Sequence, residues 1–270
     1  MADARADESD GPISDAEPLR DQIAVITGGG RGIGLGIARA LARRGCRLVI
    51  ASRNKEQVAS AVESLEAAVG FPECDVRRAE CIERLFEFVV ERFGSLDILI
   101  TSAGIARSPR SARHVPSPVS SYDEGCWDDV IDTNLRGVFL ACRAAARLMV
   151  ARRRGQIVNV SSLRAVQRGH AFGSAYCASK MAARALLEAM AAELAPHGIR
   201  VMSFMPDVVE TSMIAATDLA KHGSLSIDEV GEYVAALLAL PMDTSVEGAP
   251  LAPLTQRRQR KGADRTEASA

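Results

Sequence analysis

The sequence predicts an α/β fold, a single doubly wound domain whose parallel sheet of about seven strands carries helices on both faces. Three observations predict it. Short apolar runs such as Ile23-Ala24-Val25-Ile26, Leu48-Val49-Ile50 and Ile157-Val158-Asn159-Val160 alternate regularly with longer helical patterns. Asn159 apart, these runs are apolar at successive positions rather than at every second residue, as strands covered on both faces are. The first of them ends in glycines at 28, 32 and 34 and opens directly into a helix.

The elements follow in order. Residues 1–19 combine acids, Ser, Gly and Pro with few apolar side chains, so they read as a disordered acidic tail. The domain proper spans 20–255. It opens with strand 22–27, helix 32–44, strand 47–51, helix 55–68, a short strand at 71–75, helix 78–93 and strand 96–101. A loop rich in Ser, Pro and Arg occupies 105–123, too long for a plain connection and so a candidate substrate loop. A long helix at 125–153, strand 156–160, a loop at 162–174 and a helix at 175–195 ending at Pro196 come next. Strand 199–205, a weakly periodic segment at 207–225, helix 227–239 and an apolar piece at 248–254 complete the domain, and 256–270 reads as a second disordered tail. In such a sheet, ligands bind beyond the carboxyl ends of the strands.

Composition narrows the function classes. A net charge of −1 gives no global field for nucleic acid or a membrane surface, and neither is expected as a partner. The six cysteines are scattered without a C-x-x-C pair, so neither a zinc site nor a disulfide framework is indicated, and a reducing cytoplasm fits best. The N-terminus lacks the apolar stretch of a secretory signal, and no run is long enough to span a bilayer. No metal site is expected, because His114 and His170 lack carboxylate or cysteine companions at ligand spacing.

Thr27-Gly28-Gly29-Gly30-Arg31-Gly32-Ile33-Gly34 has the form of a phosphate-binding turn. Glycines there permit a tight turn and close backbone approach to a pyrophosphate, which meets the free N–H groups of the helix that follows. A glycine-rich turn without ligand is the alternative. The end of the second strand bears on which dinucleotide would bind: an acid there accepts from a ribose 2′-hydroxyl, whereas a 2′-phosphate needs room and positive charge. This chain has Ser52 and Arg53, with Arg31 within reach, which favours NADP(H) over NAD(H). Asp75 can accept from an adenine amino group or cap the next helix.

Chemistry is most visible at Ala175-Tyr176-Cys177-Ala178-Ser179-Lys180. Tyr176 and Lys180 share one helical face, where an ammonium beside the phenol favours phenolate. The strand ending at Val160 delivers Ser161 and Ser162, which can polarise a carbonyl oxygen or simply form a turn. Asn134 sits inside a helical pattern where asparagine is a poor former; it can bond locally, hold a water or lie on an exposed face.

Taken together, these pieces resemble the short-chain dehydrogenase/reductase family of the Tyr-x-x-x-Lys type over about residues 20 to 240. The resemblance implies a Rossmann-type fold in which Tyr176 donates or accepts the proton and also contacts the cofactor. Lys180 also grips the nicotinamide ribose, Ser162 orients the substrate oxygen, and Asn134 anchors a water in the proton relay. It further implies that Gly28, Gly30, Arg31, Gly32, Ile33 and Gly34 bind the cofactor with Ser52, Arg53, Asp75 and Val76. Ser102, Ala103 and Gly104 after the fourth strand, and Pro206, Val209 and Thr211 after the sixth, complete that set. Family members pair their long helices with symmetry mates, so a homodimer or homotetramer is expected.

Two departures stand out. Thr101-Ser102-Ala103-Gly104 replaces the family's usual Asn-Asn-Ala-Gly, so a hydroxyl takes the place of an amide at the sheet centre. Pro206-Asp207 replaces Pro-Gly, adding a carboxylate that either faces the nicotinamide or points outward. The expected activity is hydride transfer between NADP(H) and the ketone or secondary alcohol of a small substrate. An anionic substrate is one reading of the basic loops with Arg107, Arg110, Arg113, Arg164 and Arg168; solvated loop charge is the other. Alternatives are reduction of a 3-oxoacyl thioester, which the missing glycine-rich ending counts against, and a catalytically weak dinucleotide-binding or sensor protein.

Overall fold

The computed structural model describes residues 18–110, 118–163, 173–214 and 223–254. Arg113, His114, Arg164, Arg168 and His170, residues 1–17 of the first tail and the whole of the second lie outside the described residues. The chain runs β1 (Ile23–Thr27), α1 (Gly32–Arg43), β2 (Arg47–Ala51), α2 (Lys55–Glu63), β3 (Ala68–Phe71), α3 (Ala79–Phe93) and β4 (Ile98–Thr101). After the loop come α4 (Glu124–Ile131), a π-helical turn (Asp132–Arg136), α5 (Gly137–Arg152) and β5 (Gly155–Val160). The described chain closes with α6 (Ser174–Leu194), β6 (Ile199–Pro206), α7 (Ile227–Leu238) and β7 (Ala249–Leu251).

All seven strands are parallel, in the order β3-β2-β1-β4-β5-β6-β7. The order reverses between β1 and β4, which opens a crevice where the two connections leave the sheet in opposite directions. One face packs Ile26, Ile50, Ile100, Val158 and Phe204 against Ile37 and Leu41 of α1 and Val230 and Val234 of α7. The other packs Val25, Val49, Leu99, Ile157 and Val201 against Leu85 of α3, Cys142 and Met149 of α5 and Leu187 of α6. Burial on both faces is why the strands read as unbroken apolar runs. Leu19, assigned to the tail by sequence, is 1% exposed and packs with the first of these clusters, where its carbonyl accepts from the Cys46 thiol.

α1 and α7 touch backbone to backbone. A Cβ at Gly36 would run into the Ile227 carbonyl, and one at Gly231 into the Gly36 carbonyl. Ser226 and Glu229 form a capping box at the start of α7: each side chain accepts from the other's backbone N–H, at 3.1 and 2.7 Å.

Three elements differ from the sequence reading. The second helix stops at Glu63 rather than residue 68, and the third strand occupies 68–71 rather than 71–75. Ala67 takes a left-handed turn at φ 57°, and Gly70 allows β3 to lie under α2: a Cβ there would sit 2.6 Å from Val58 Cγ1. The Ala-Ala pair that suggests continued helix therefore turns the chain into the sheet. The long helix at 125–153 contains the π-helical turn, within which Asn134 is carried.

Candidate active site

The glycine turn sits at the crevice. Gly28 has φ +70° and donates to Ala51 O at 2.8 Å; a Cβ on it would lie 2.6 Å from Ala103 N. Gly32 is also left-handed, at φ +54°, and a Cβ on Gly34 would collide with the Gly28 carbonyl. These positions admit backbone only, which leaves the N-terminus of α1 open toward the crevice. No side chain caps that end: Arg31 is the N-cap residue and makes no capping bond.

A cavity of about 540 Å³ extends from this turn along the carboxyl ends of the strands. Of the residues expected to bind cofactor, Gly28, Arg31, Gly32, Ile33, Ser52, Arg53, Val76, Ser102, Ala103, Gly104, Tyr176, Lys180 and Thr211 line it. Among the described residues on its wall there is no carboxylate, while Arg31, Arg53 and Lys180 supply cations. Arg31 Nη1 also donates to Ser212 Oγ at 3.3 Å. Asn54 and Gln57 complete the wall beside Arg53. Sequence reasoning passed over both, although Asn54 carries a helix-start signal: its Oδ1 accepts from Gln57 N at 2.7 Å and caps α2. Ile105 and Thr133 are further lining residues that carried no distinct signal, and Ser161, named beside Ser162 in the sequence, lines the wall as well.

The remaining predicted binders lie off the wall. Gly30 and Gly34 are buried beneath the turn. Asp75 turns to Arg77, whose Nε and Nη2 donate to its carboxylate at 2.6–3.0 Å. Burial pushes the Asp75 carboxyl up, but the Arg77 hydrogen bonds outweigh it and hold it below the usual carboxylate range. The cap of α3 is Arg78, so Asp75 does not fill that role; its Oδ1 accepts from Arg77 N in a turn just before the helix. Pro206 ends β6, and Val209 puts its side chain in the core while its backbone bridges Leu225. Asp207 does not point outward: it is 7% exposed, and its N–H donates to Leu251 O at 2.8 Å. At the sheet centre Thr101 Oγ1 donates to Asn159 Oδ1 at 3.0 Å, the hydroxyl bond expected in place of an amide.

At the other end of the cavity, α6 brings Tyr176 and Lys180 to one face. The Lys180 ammonium stands 6.0 Å from the Tyr176 ring centroid and donates to Val160 O at 2.7 Å. Burial pulls the ammonium down to a pKa of about 8. Burial also pushes the Tyr176 phenol up, opposed by its hydrogen bond with the Ser162 hydroxyl. The sequence reading has lysine drawing the phenol down; here desolvation of the phenolate outweighs the hydrogen bond, and the phenol stays protonated at neutral pH. Of the two serines, Ser162 meets the phenol, whereas Ser161 Oγ turns to Lys180 O at 3.5 Å.

Asn134 is fully buried rather than on an exposed face. Its Oδ1 accepts from Ile105 N and its Nδ2 donates to Ile105 O, both at 2.8 Å, so it clamps the backbone that follows Gly104. π-Helical turns recur at functional sites because the widened turn re-aims a side chain. Arg110, one of the basic loop residues, is drawn to Asp129 at 2.9 Å. Asp129 also accepts from Ser108 Oγ at 2.6 Å and Arg77 Nη1 at 3.0 Å. Cys74 on the cavity wall is no nucleophile, since burial pushes its thiol up to about 12.

Comparison with known proteins places these features in context. The family model for short chain dehydrogenases matches residues 22–221. A protein of Staphylococcus aureus strain MW2, described as an uncharacterised oxidoreductase, is 30% identical over 237 residues, covering 87% of this chain and 99% of its own. An alcohol dehydrogenase from the archaeon Thermococcus sibiricus, complexed with 5-hydroxy-NADP, superposes with a TM-score of 0.78 at 30% identity. That match covers 88% of this chain and 99% of the archaeal one. A 3-ketoacyl-(acyl-carrier-protein) reductase from Brucella melitensis, complexed with NADH, gives 0.79 at 26% identity with the same two coverages.

Proposed function

The chain belongs to the short-chain dehydrogenase family, and from that premise we propose that it is an NADP(H)-dependent oxidoreductase interconverting a ketone and a secondary alcohol on a small organic substrate. The residues fit a dinucleotide. Glycines admit no side chain where a pyrophosphate would meet the N-terminus of α1, and the wall carries cations without carboxylates. That carboxylate-free wall beside Ser52, Arg53 and Arg31 is the observation that carries the NADP(H) reading, because a 2′-phosphate would meet charge-assisted donors there and no repulsion. When bound, the nicotinamide supplies or takes the hydride.

The chain's own residues then divide the remaining work. Tyr176, protonated at neutral pH, donates its proton to a carbonyl oxygen in reduction and recovers it in oxidation. Ser162, bonded to that phenol, holds the substrate oxygen within reach of it. Lys180 presents a buried ammonium to the ribose hydroxyls, and Asn134 fixes the wall at Ile105, its amide committed to protein partners rather than to the relay water that the family resemblance implies. A homodimer or homotetramer formed through α5 and α6 accords with the exposed Phe139 and Met181 on those helices. A cytoplasmic setting accords with six free cysteines, and among the described residues no helix is long and apolar enough to cross a membrane.

Reduction of a 3-oxoacyl thioester is the second reading, favoured by the likeness to the Brucella reductase. Fluorescence titration with NADPH and NADH, followed by ketones, keto acids and 3-oxoacyl thioesters, decides among these. The expected result is tighter binding of NADPH and its consumption by a ketone. Preference for a thioester selects the second reading, and binding without turnover of any carbonyl selects a sensor. Tighter NADH binding overturns the cofactor assignment.

A further inference from the structure

We propose that Ser179 is a positioning residue for proton transfer, joining the cavity wall at Gly104 and Ile105 to the helical turn that carries Tyr176 and Lys180. The proposal rests on the acid–base reading of Tyr176 above.

Serine inside a helix is ordinarily a weak choice, because its hydroxyl competes for backbone partners. Ser179 is fully buried, and its hydroxyl is used twice. It donates to Tyr176 O at 2.8 Å, the same carbonyl that the helical pattern aims at the Lys180 N–H. It accepts from Asn134 Nδ2 at 3.0 Å. Asn134 thereby spends both Nδ2 hydrogens, one on Ser179 Oγ and one on Ile105 O, while its Oδ1 holds Ile105 N. The result is a hydrogen-bonded bridge from the backbone after β4, through the π-helical turn, to the first turns of α6.

That bridge has little slack. Asn134 and Ser179 are both at 0% exposure, so neither side chain can exchange its partners for solvent. On the cavity side, a Cβ at Gly104 would stand 3.3 Å from Asn134 Oδ1 and 3.5 Å from Lys180 Nζ. Wall, amide and ammonium therefore meet at one point, with Ser179 behind them. Proton transfer is sensitive to sub-ångström placement of donor and acceptor. Nothing else among the described hydrogen bonds of Asn134 reaches α6, so Ser179 sets how deep the Tyr176 turn sits against the wall.

The test compares Ser179→Ala, near-isosteric Ser179→Cys with its weak thiol donor, and Ser179→Thr, whose hydroxyl can make the same bond to the preceding turn. Two readouts are taken. Amide exchange at Ile105, followed by NMR, reports the bridge without reference to activity, and is expected to quicken about tenfold in the Ala and Cys variants. Turnover is expected to fall about tenfold in both while the Kd for NADPH stays within about twofold, with Thr restoring exchange and turnover alike. In a Tyr176→Phe background, Ser179→Ala should cost nothing further, because its effect passes through the phenol. Unchanged Ile105 exchange and turnover in both variants would overturn the proposal, as would a turnover loss that persists in the Tyr176→Phe background. Faster exchange combined with full activity of Tyr176→Phe would leave the bridge intact but remove the acid–base reading, and with it any role of Ser179 in proton transfer.

Discussion

Three side chains carry the residue-scale predictions. Tyr176→Phe removes the exchangeable proton and keeps the ring, so turnover should drop about 10²–10⁴-fold while NADPH affinity, followed by fluorescence titration, falls by no more than about threefold. Arg53→Ala removes a charge-assisted donor beside Ser52 and should cut the preference for NADPH over NADH about tenfold, read from paired titrations. Lys180 links site and stability. Its folded pKa of about 8 lies below the ordinary lysine value of 10.5, so between those values the unfolded chain holds more protons than the folded one. Its own contribution to stability should therefore rise with pH across that window, and below pH 8 the buried ammonium costs about 3 kcal/mol in full. Chemical denaturation at about pH 7.5 and about pH 10, on either side of most of that window, should show wild type gaining on Lys180→Met as pH rises, a difference from which the opposing thiols Cys46, Cys74 and Cys142, each pushed up to about 12 by burial, drop out. The same variant should be inactive yet melt at a higher temperature.

At the scale of elements, the α1–α7 crossing is the most exacting contact. Gly36→Ala forces a methyl into the Ile227 carbonyl and should destabilise the protein by about 1–3 kcal/mol, measured by thermal or urea unfolding. Which elements the sequence revealed follows from where their signals lie. β1, β2, β5 and β6 declare themselves because each is an apolar run buried on both faces. β3 does not, since its residues are only half-buried, contain Gly70 and begin within an alanine pair, Ala67-Ala68, that resembles a helix end. The π-helical turn leaves the apolar pattern of the long helix unbroken, so only the poor helix former Asn134 hinted at it. Tyr176, Lys180, Ser162 and the glycine turn were legible because their chemistry is local in sequence. The Asn134–Ser179 bond and the Arg77 hold on Asp75 depend on tertiary placement and competing partners, which spacing does not encode.

For the whole molecule, one sheet serves two purposes. Its apolar middle holds the core, and its carboxyl edge changes to polar residues: Thr27, Thr101, Asn159 and Ser203 stand in register across β1, β4, β5 and β6 directly beneath the cavity. Assembly belongs to this scale. Phe139 and Met181 are 41% and 45% exposed on α5 and α6, and if those helices pair with a second copy, Phe139→Glu with Met181→Glu should yield a monomer by light scattering. An unchanged mass would place the contact elsewhere.

The docking of Leu251 against the Asp207 backbone has a practical consequence for handling the protein. The short final strand supports the bend after β6, so a truncation that removes it would free the chain leading to Thr211 on the cavity wall. Among the first described residues, Leu19 and Asp21 bond to Cys46 and Gly45 at the opposite edge of the sheet from the cavity. A handle joined directly at Pro18 therefore leaves from the edge of the sheet that faces away from the chemistry.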